Sequence, residues 1–522
     1  MSSSTPAPSS RPVPSSPPGR TAPAPAPDMW ESPAHRRTVY GVLAVVALAI
    51  LFDGYDLVIY GAVLPTLMAD PTQIGALGAA QAGALGSYAL VGVMIGALTA
   101  GAVGDRIGRR RIMLGAIAWF SVGMAATAFA RDITTFGVLR LLTGLGIGAI
   151  VATAGAIIAE FAPAGRRNLF NAVVYSGIPA GGVLASALAM VLRDHIGWRG
   201  LFLIGAVPLV LVLPYAWFAL PESPRWLASR GRTRQAAEVC ASRGLPLEMA
   251  AAPGAPRTAD TTPRDDRDAN YDDDNYDDDK VAARTGFAAL LSPAYRLGTL
   301  LLGFMSFAGL LLTYGLNTWL PTIMENYGID AKGSLGFLLV LNGGAIVGGL
   351  AASWLADRHG PRVIVACSFV LATLALVAIT VSPPFVLVVA LVAAAGMGTI
   401  GTQVLLYGFV SNYYETGARA AGVAWCAGFG RLGGILGPVI GGFLVAAGLE
   451  ADTSFLVFGG IALAGAALTL AVPRSPAQSE PVAVPDEITP LDFDPPATAV
   501  AGEGAGEPVA AEPVEHAGSD LR

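Results

Sequence analysis

The feature that most constrains this chain is a succession of long apolar stretches, separated by short breaks rich in charge, glycine or proline. A helix that crosses a bilayer takes about 20 mostly apolar residues at a rise of about 1.5 Å each. Stretches of that kind are predicted at 40–68, 81–103, 112–130, 135–159, 170–192, 198–219, 297–324, 333–356, 363–382, 385–411, 419–447 and 452–472, here called spans 1 to 12. Of 522 residues, 53% are hydrophobic and 13% charged. That charged fraction is about half the usual value for soluble domains, and it argues against a water-soluble fold. The expectation is an all-α integral membrane protein with 12 transmembrane helices in two six-helix halves.

Polar segments divide the rest of the chain. Residues 1–37 and 473–522 are rich in Pro, Ala and Ser or Glu, too poor in apolar surface to fold alone, and are expected to be solvated arms. Between the halves, 38–220 and 296–472, lies a central loop at 221–295 that contains "DDRDANYDDDNYDDDK". This Asp-rich insert lacks the loop glycine and twelfth-position glutamate of a calcium-binding EF-hand, so it reads as a linker. Three cysteines and four histidines lie scattered, without the spacing of a disulfide framework or a zinc site. No metal, cofactor or nucleic-acid partner is expected. No arrangement of nucleophile, base and metal marks an enzyme.

Short loops set the orientation, because lysine and arginine collect on the cytoplasmic side. The loop after span 2 holds Arg106, Arg109, Arg110 and Arg111, that after span 4 holds Arg166 and Arg167, and that after span 8 holds Arg358 and Arg362; loops of the other parity hold Arg131, Arg193 and Lys332, one apiece. Both termini are therefore expected in the cytoplasm.

An internal repeat supports the division into halves. Asp105, Arg106, Gly108 and Arg110 recur 252 positions later as Asp357, Arg358, Gly360 and Arg362, and Gly144 and Gly146 recur as Gly396 and Gly398. Repeated halves around a midplane site are a common build of secondary transporters. Charges present in one half only break this symmetry and need another reason. Asp53, Asp56, Arg140 and Arg431 would correspond to Met305, Ala308, Val392 and Ile178. Asp53 and Asp56, three apart, share a helix face beyond the middle of the bilayer, where ionised carboxylates are costly. They are the candidates for proton coupling; for one of them a role in capping a helix-end amide near Gly54 is the competing reading.

The loop "GAVGDRIGRR" resembles the signature between helices 2 and 3 of the major facilitator superfamily, and "SWLADRHGPR" is its weaker second-half copy. "PESPRWL" at 221–227 is similar to a sugar-porter motif. "FDGYDLVIYGAVLPTLM" carries the D-G-x-D mark of the aromatic acid/proton symporter family, and "QAGALGSYAL" and "TIGTQVLLYGF" resemble its benzoate transporters. The resemblance implies a multi-pass transporter of the bacterial cytoplasmic membrane, working as a monomer in the lipid bilayer. Its implied partners are protons and a small aromatic carboxylate, benzoate or a hydroxybenzoate, imported by alternating access. It also implies an inner gate at Asp105, Arg106, Gly108, Arg109, Glu160, Asp357 and Arg358.

A substrate carboxylate suits the planar fork of arginine. Arg431 is the candidate anchor, and Arg140 is expected either there or in a salt bridge to Asp53 or Asp56. For the ring, the candidates are polar or aromatic groups within apolar spans: Tyr314, Asn317, Trp319, Asn342, Gln403 and Tyr407. Each alone is more often a satisfied interhelical contact; the candidates stand as a set. Two other classes share these features, a proton antiporter exporting a drug or metabolite and a membrane receptor that binds aromatic acids without moving them.

Overall fold

The structure, a computed structural model, describes residues 32–163, 167–250 and 286–473. The Asp-rich insert, Arg166, most of both arms and the side chains of Asp105 and Arg167 lie outside the described residues.

The first group of helices is α1 (Pro33–Ala69), α2 (Ala79–Ile107), α3 (Arg109–Ala128), α4 (Ile133–Phe161), α5 (Arg167–Tyr175), α6 (Gly177–Ile204) and α7 (Val212–Ala219). Two short helices, α8 (Pro224–Ser229) and α9 (Thr233–Arg243), follow, and α10 (Gly286–Leu290) precedes the second group. That group is α11 (Arg296–Asn326), α12 (Ala331–His359), α13 (Pro361–Ile379), α14 (Phe385–Gly398), α15 (Ile400–Tyr413), α16 (Thr416–Ala446) and α17 (Ala451–Ala471). No strand occurs among the described residues. By length and composition, eleven helical segments among the described residues can cross a membrane.

The predicted span 6 is not among the eleven. Its stretch, 198–219, is divided: Gly197 turns the chain at φ 65° inside α6, a short 3-10 turn follows at Val207–Leu209, and α7 completes it. Pro208 in that turn has no N–H to continue a helical ladder. Span 10 is also interrupted, at Thr399 between α14 and α15. The first helix begins at Pro33, where proline's fixed φ suits an opening turn, so the expected boundary at 37/38 falls inside α1. There the Thr38 hydroxyl donates to the Arg243 carbonyl at 2.8 Å. Part of the central loop is thus structured, with Trp226, Leu227, Ala228 and Ala236 forming a small apolar cluster of their own.

The repeat read from sequence reappears as geometry. Gly108 (φ 101°) and Gly360 (φ 84°) take the same positive φ at the α2/α3 and α12/α13 junctions, a conformation that a side chain would strain. In the first group α1 packs on α6 and α2 on α4; in the second, α11 packs on α16 and α12 on α14. Across the groups α2 meets α16, α6 meets α12 and α1 meets α11. Exposure on the last pair is one-sided. Tyr40 and Leu48 of α1, and Leu297, Leu300 and Phe304 of α11, are exposed, whereas α1 beyond Gly54 and α11 beyond Ala308 are buried almost throughout.

Candidate functional site

The carboxylates stand where α1 and α6 cross most closely. A Cβ on Gly54 would overlap the backbone of Ile178, and one on Gly181 would overlap the Leu51 carbonyl. Glycine at both places is what lets the two backbones touch. Next to this crossing, the Arg140 guanidinium of α4 donates to Asp56 in a direct ion pair. Both residues are only 2% exposed. The guanidinium also lies 5.2 Å from the Tyr60 ring centre and 6.0 Å from that of Phe202, within the range of a cation–π contact. The walls are pinned in turn: the Tyr60 hydroxyl donates to the Ala82 carbonyl at 2.6 Å, and that of Tyr55 to the Leu201 carbonyl at 2.7 Å.

Asp53, one turn earlier, is half-buried and makes no ion pair among the described residues. The charges acting on it are Arg431, from the second group, and Asp56. Arg431 donates from Nη1 to the Tyr314 hydroxyl at 3.2 Å, and Tyr407 and Tyr175 share its electrostatic surroundings. The four charges without a counterpart in the repeat therefore come together in twos, Asp56 with Arg140 and Asp53 near Arg431. Tyr175, contributed by the first group, was not legible as a site residue from sequence. The polar groups singled out for the ring all came from the second half, and nothing in the pattern marked this tyrosine.

The remaining ring candidates separate into two kinds. Asn317 and Asn342 bond to each other: Asn342 Nδ2 donates to Asn317 Oδ1 at 2.8 Å. Each also donates to a carbonyl one turn back, Thr313 and Leu338, and both are buried. Trp319 is fully buried and donates from Nε1 to the Pro438 carbonyl at 2.7 Å, tying α11 to α16. These three are satisfied interhelical contacts. Gln403 differs: its buried Nε2 and Oε1 have no hydrogen-bond partner.

Where α2 meets α3, Arg109 Nε lies 3.4 Å from Glu160 Oε1, and the Arg110 backbone N–H donates to Glu222 Oε1 at 3.1 Å. The Ser223 side chain and the charge of Arg225 also act on Glu160. The "PESPRWL" segment thus belongs to this network, a role that the sequence motif by itself did not assign to Glu222, Ser223 or Arg225. Arg106 and Asp357 are exposed, and Arg358 lies over the Trp354 ring at 3.8 Å. Beside the Gly197 turn inside α6 and at the start of α12, Lys332 Nζ of the second group meets Asp194 Oδ2 of the first at 3.2 Å.

Paired helix groups that repeat one another, with charges facing across them at mid-helix, define a membrane transporter rather than an enzyme. The Major Facilitator Superfamily model matches residues 46–351 and again 331–501. A gallate transporter of Pseudomonas putida is 35% identical over 432 residues, 82% of this chain and 91% of that protein. A benzoate transport protein of Acinetobacter baylyi is 30% identical over 424 residues, 80% and 85% of the two. The xylose transporter XylE from E. coli, solved in a partially occluded inward open conformation, aligns with a TM-score of 0.62 at 17% identity, over 84% of this chain and 100% of that one; this likeness concerns the fold. The chain belongs to the major facilitator superfamily and, within it, to the aromatic acid transporters.

Proposed function

We propose that this transporter imports a small aromatic carboxylate, benzoate or a hydroxybenzoate, together with protons across the bacterial cytoplasmic membrane, with both termini inside. The observation that carries the reading is the unequal state of the two α1 carboxylates. Asp56 is already matched by Arg140 within the first group. Asp53 faces the field of Arg431 across the groups, and Arg431 is held by a tyrosine hydroxyl, which leaves its fork able to grip a carboxylate in two parallel hydrogen bonds.

Competition for that guanidinium would link the two cargoes. While Asp53 is ionised, it shares the arginine with any incoming anion. A proton on Asp53 removes the rival charge, so proton and organic anion load together and leave together. The phenols of Tyr314, Tyr407 and Tyr175 around Arg431 suit the edge of a flat ring, which needs apolar walls and few donors. The ring carboxylates moved by the gallate and benzoate relatives support the substrate class.

Alternating access would proceed by rocking of the halves 38–220 and 296–472 about this site. Exposure confined to the beginnings of α1 and α11 supports a cleft open to the cytoplasm, with the Asp194–Lys332 pair on the closed side. The Arg109, Glu160 and Glu222 contacts join the α2/α3 turn to α4 and the central loop, and support the first-half part of the inner gate. Uptake of radiolabelled benzoate by a transport-deficient host, with and without an uncoupler, tests the coupling. Accumulation should collapse with the proton gradient; uptake indifferent to the gradient would end the symport reading.

A further inference from the structure

Gln403 is the one expected ring contact whose amide has nothing to bond. Its Nε2 and Oε1 are both buried and both without a hydrogen-bond partner. A buried amide left in that state costs about 1–3 kcal/mol, so a membrane helix that keeps one keeps it for a partner that comes and goes. What lies against it is apolar. Gly309 of α11 faces the amide, and a Cβ there would come within 2.6 Å of Gln403 Nε2, with the Phe369 ring edge beyond at 3.6 Å.

The local backbone has a related irregularity. Span 10 breaks at Thr399, and discontinuous helices are where transporters of this kind form their sites. The hydroxyls beside the break are occupied: Thr399 donates to the Ala395 carbonyl at 2.7 Å and Thr402 to the Gly398 carbonyl at 3.1 Å. Gln403 alone in this turn is left with a free donor and a free acceptor. One turn further on α15, on the same face, stands Tyr407, which shares the surroundings of Arg431. A turn advances about 5.4 Å, comparable to the width of a benzene ring.

We infer that Gln403 reads a hydroxyl on the ring of the cargo, so that the preferred substrates are hydroxylated aromatic acids rather than the unsubstituted acid. This rests on the aromatic-carboxylate reading above. With the carboxylate at Arg431, the ring passes Tyr407 and its far edge meets the amide. A phenolic hydroxyl both donates and accepts, as the amide does, so one group satisfies both orphan atoms. An unsubstituted ring would leave them stranded.

Isothermal titration of the full-length protein in lipid nanodiscs with benzoate and with 4-hydroxybenzoate tests this. The wild type should bind the hydroxylated acid about tenfold more tightly, the effect of one well-made hydrogen bond. In Gln403→Leu the ratio should fall to within about twofold. Gly309→Ala keeps the glutamine but crowds its amide, and should lower the ratio in the same direction. A wild-type ratio near one, or a ratio that stays tenfold in Gln403→Leu, overturns the inference while leaving aromatic-acid binding intact. A wild type that binds neither acid overturns the aromatic-acid reading, and this inference with it.

Discussion

The two acidic residues of α1 are of the same type, one helical turn apart, yet the tertiary structure treats them oppositely. Asp56 is sealed with Arg140 inside one group of helices, both at 2% exposure, between aromatic walls that are themselves bonded in place. Asp53 is half-buried at the boundary between the groups, and its countercharge, Arg431, belongs to the other side. A pair within one rigid unit moves as a unit. A pair that spans two units is remade each time they rock. The difference teaches that a motif of two carboxylates need not mean two equivalent proton carriers: one can hold the scaffold's charge balance while its neighbour does the exchanging.

Stability separates them most sharply. Removing one partner of a buried ion pair strands the other charge, at a cost of about 3–5 kcal/mol. Asp56→Asn and Arg140→Leu should therefore lower the unfolding temperature of the purified protein markedly. Asp53→Asn should leave that temperature nearly unchanged while abolishing accumulation driven by a proton gradient. Thermal unfolding of the three variants in one detergent is the direct comparison; an Asp53→Asn protein as unstable as Asp56→Asn would erase the distinction drawn between them.

The arginines allow a smaller effect to be measured. Arg431→Lys keeps the charge but loses the planar fork, and charge-assisted hydrogen bonds of that kind contribute about 1.5–3 kcal/mol. Substrate affinity should fall by roughly 10-fold to 150-fold, with folding intact. An affinity unchanged in Arg431→Lys would place the carboxylate elsewhere. Smallest is Tyr314→Phe, which deletes the hydroxyl that accepts from Arg431 at 3.2 Å. A hydrogen bond to a charged group contributes about 1.5–3 kcal/mol, but this one orients the arginine whether or not cargo is bound, so the loss should stay within about tenfold in affinity. A larger loss would mean that the phenol itself contacts the cargo.

Much of this architecture was legible because lipid leaves the chain few choices. A backbone in hydrocarbon must bond to itself, so apolar length alone announced the helices, and the ordered repeat of Asp, Arg and Gly announced the symmetry that Gly108 and Gly360 display in their backbones. The interruptions at Gly197, Pro208 and Thr399 escaped that reading, since a hydrophobic window averages over a single turned residue. Breaking the repeat was also enough to single out Asp53, Asp56, Arg140 and Arg431. Asn317, Asn342 and Trp319 show the limit. A polar group in an apolar span signals a need for a partner, but whether that partner is a neighbouring helix or a passing molecule depends on what lies across from it.

The linear order of residues by itself determined the membrane class, the approximate spans, the repeat and the identity of the unmatched charges. Only the packed helices decided which charge meets which: Arg140 reaches Asp56 and not Asp53, Arg431 bonds to Tyr314 and acts on Asp53 through its charge, and Gln403 is left unpaired. The physical reason is that spacing along one helix fixes the face a side chain occupies, whereas an ion pair between helices depends on where a second helix, more than eighty residues away in the chain, is brought alongside.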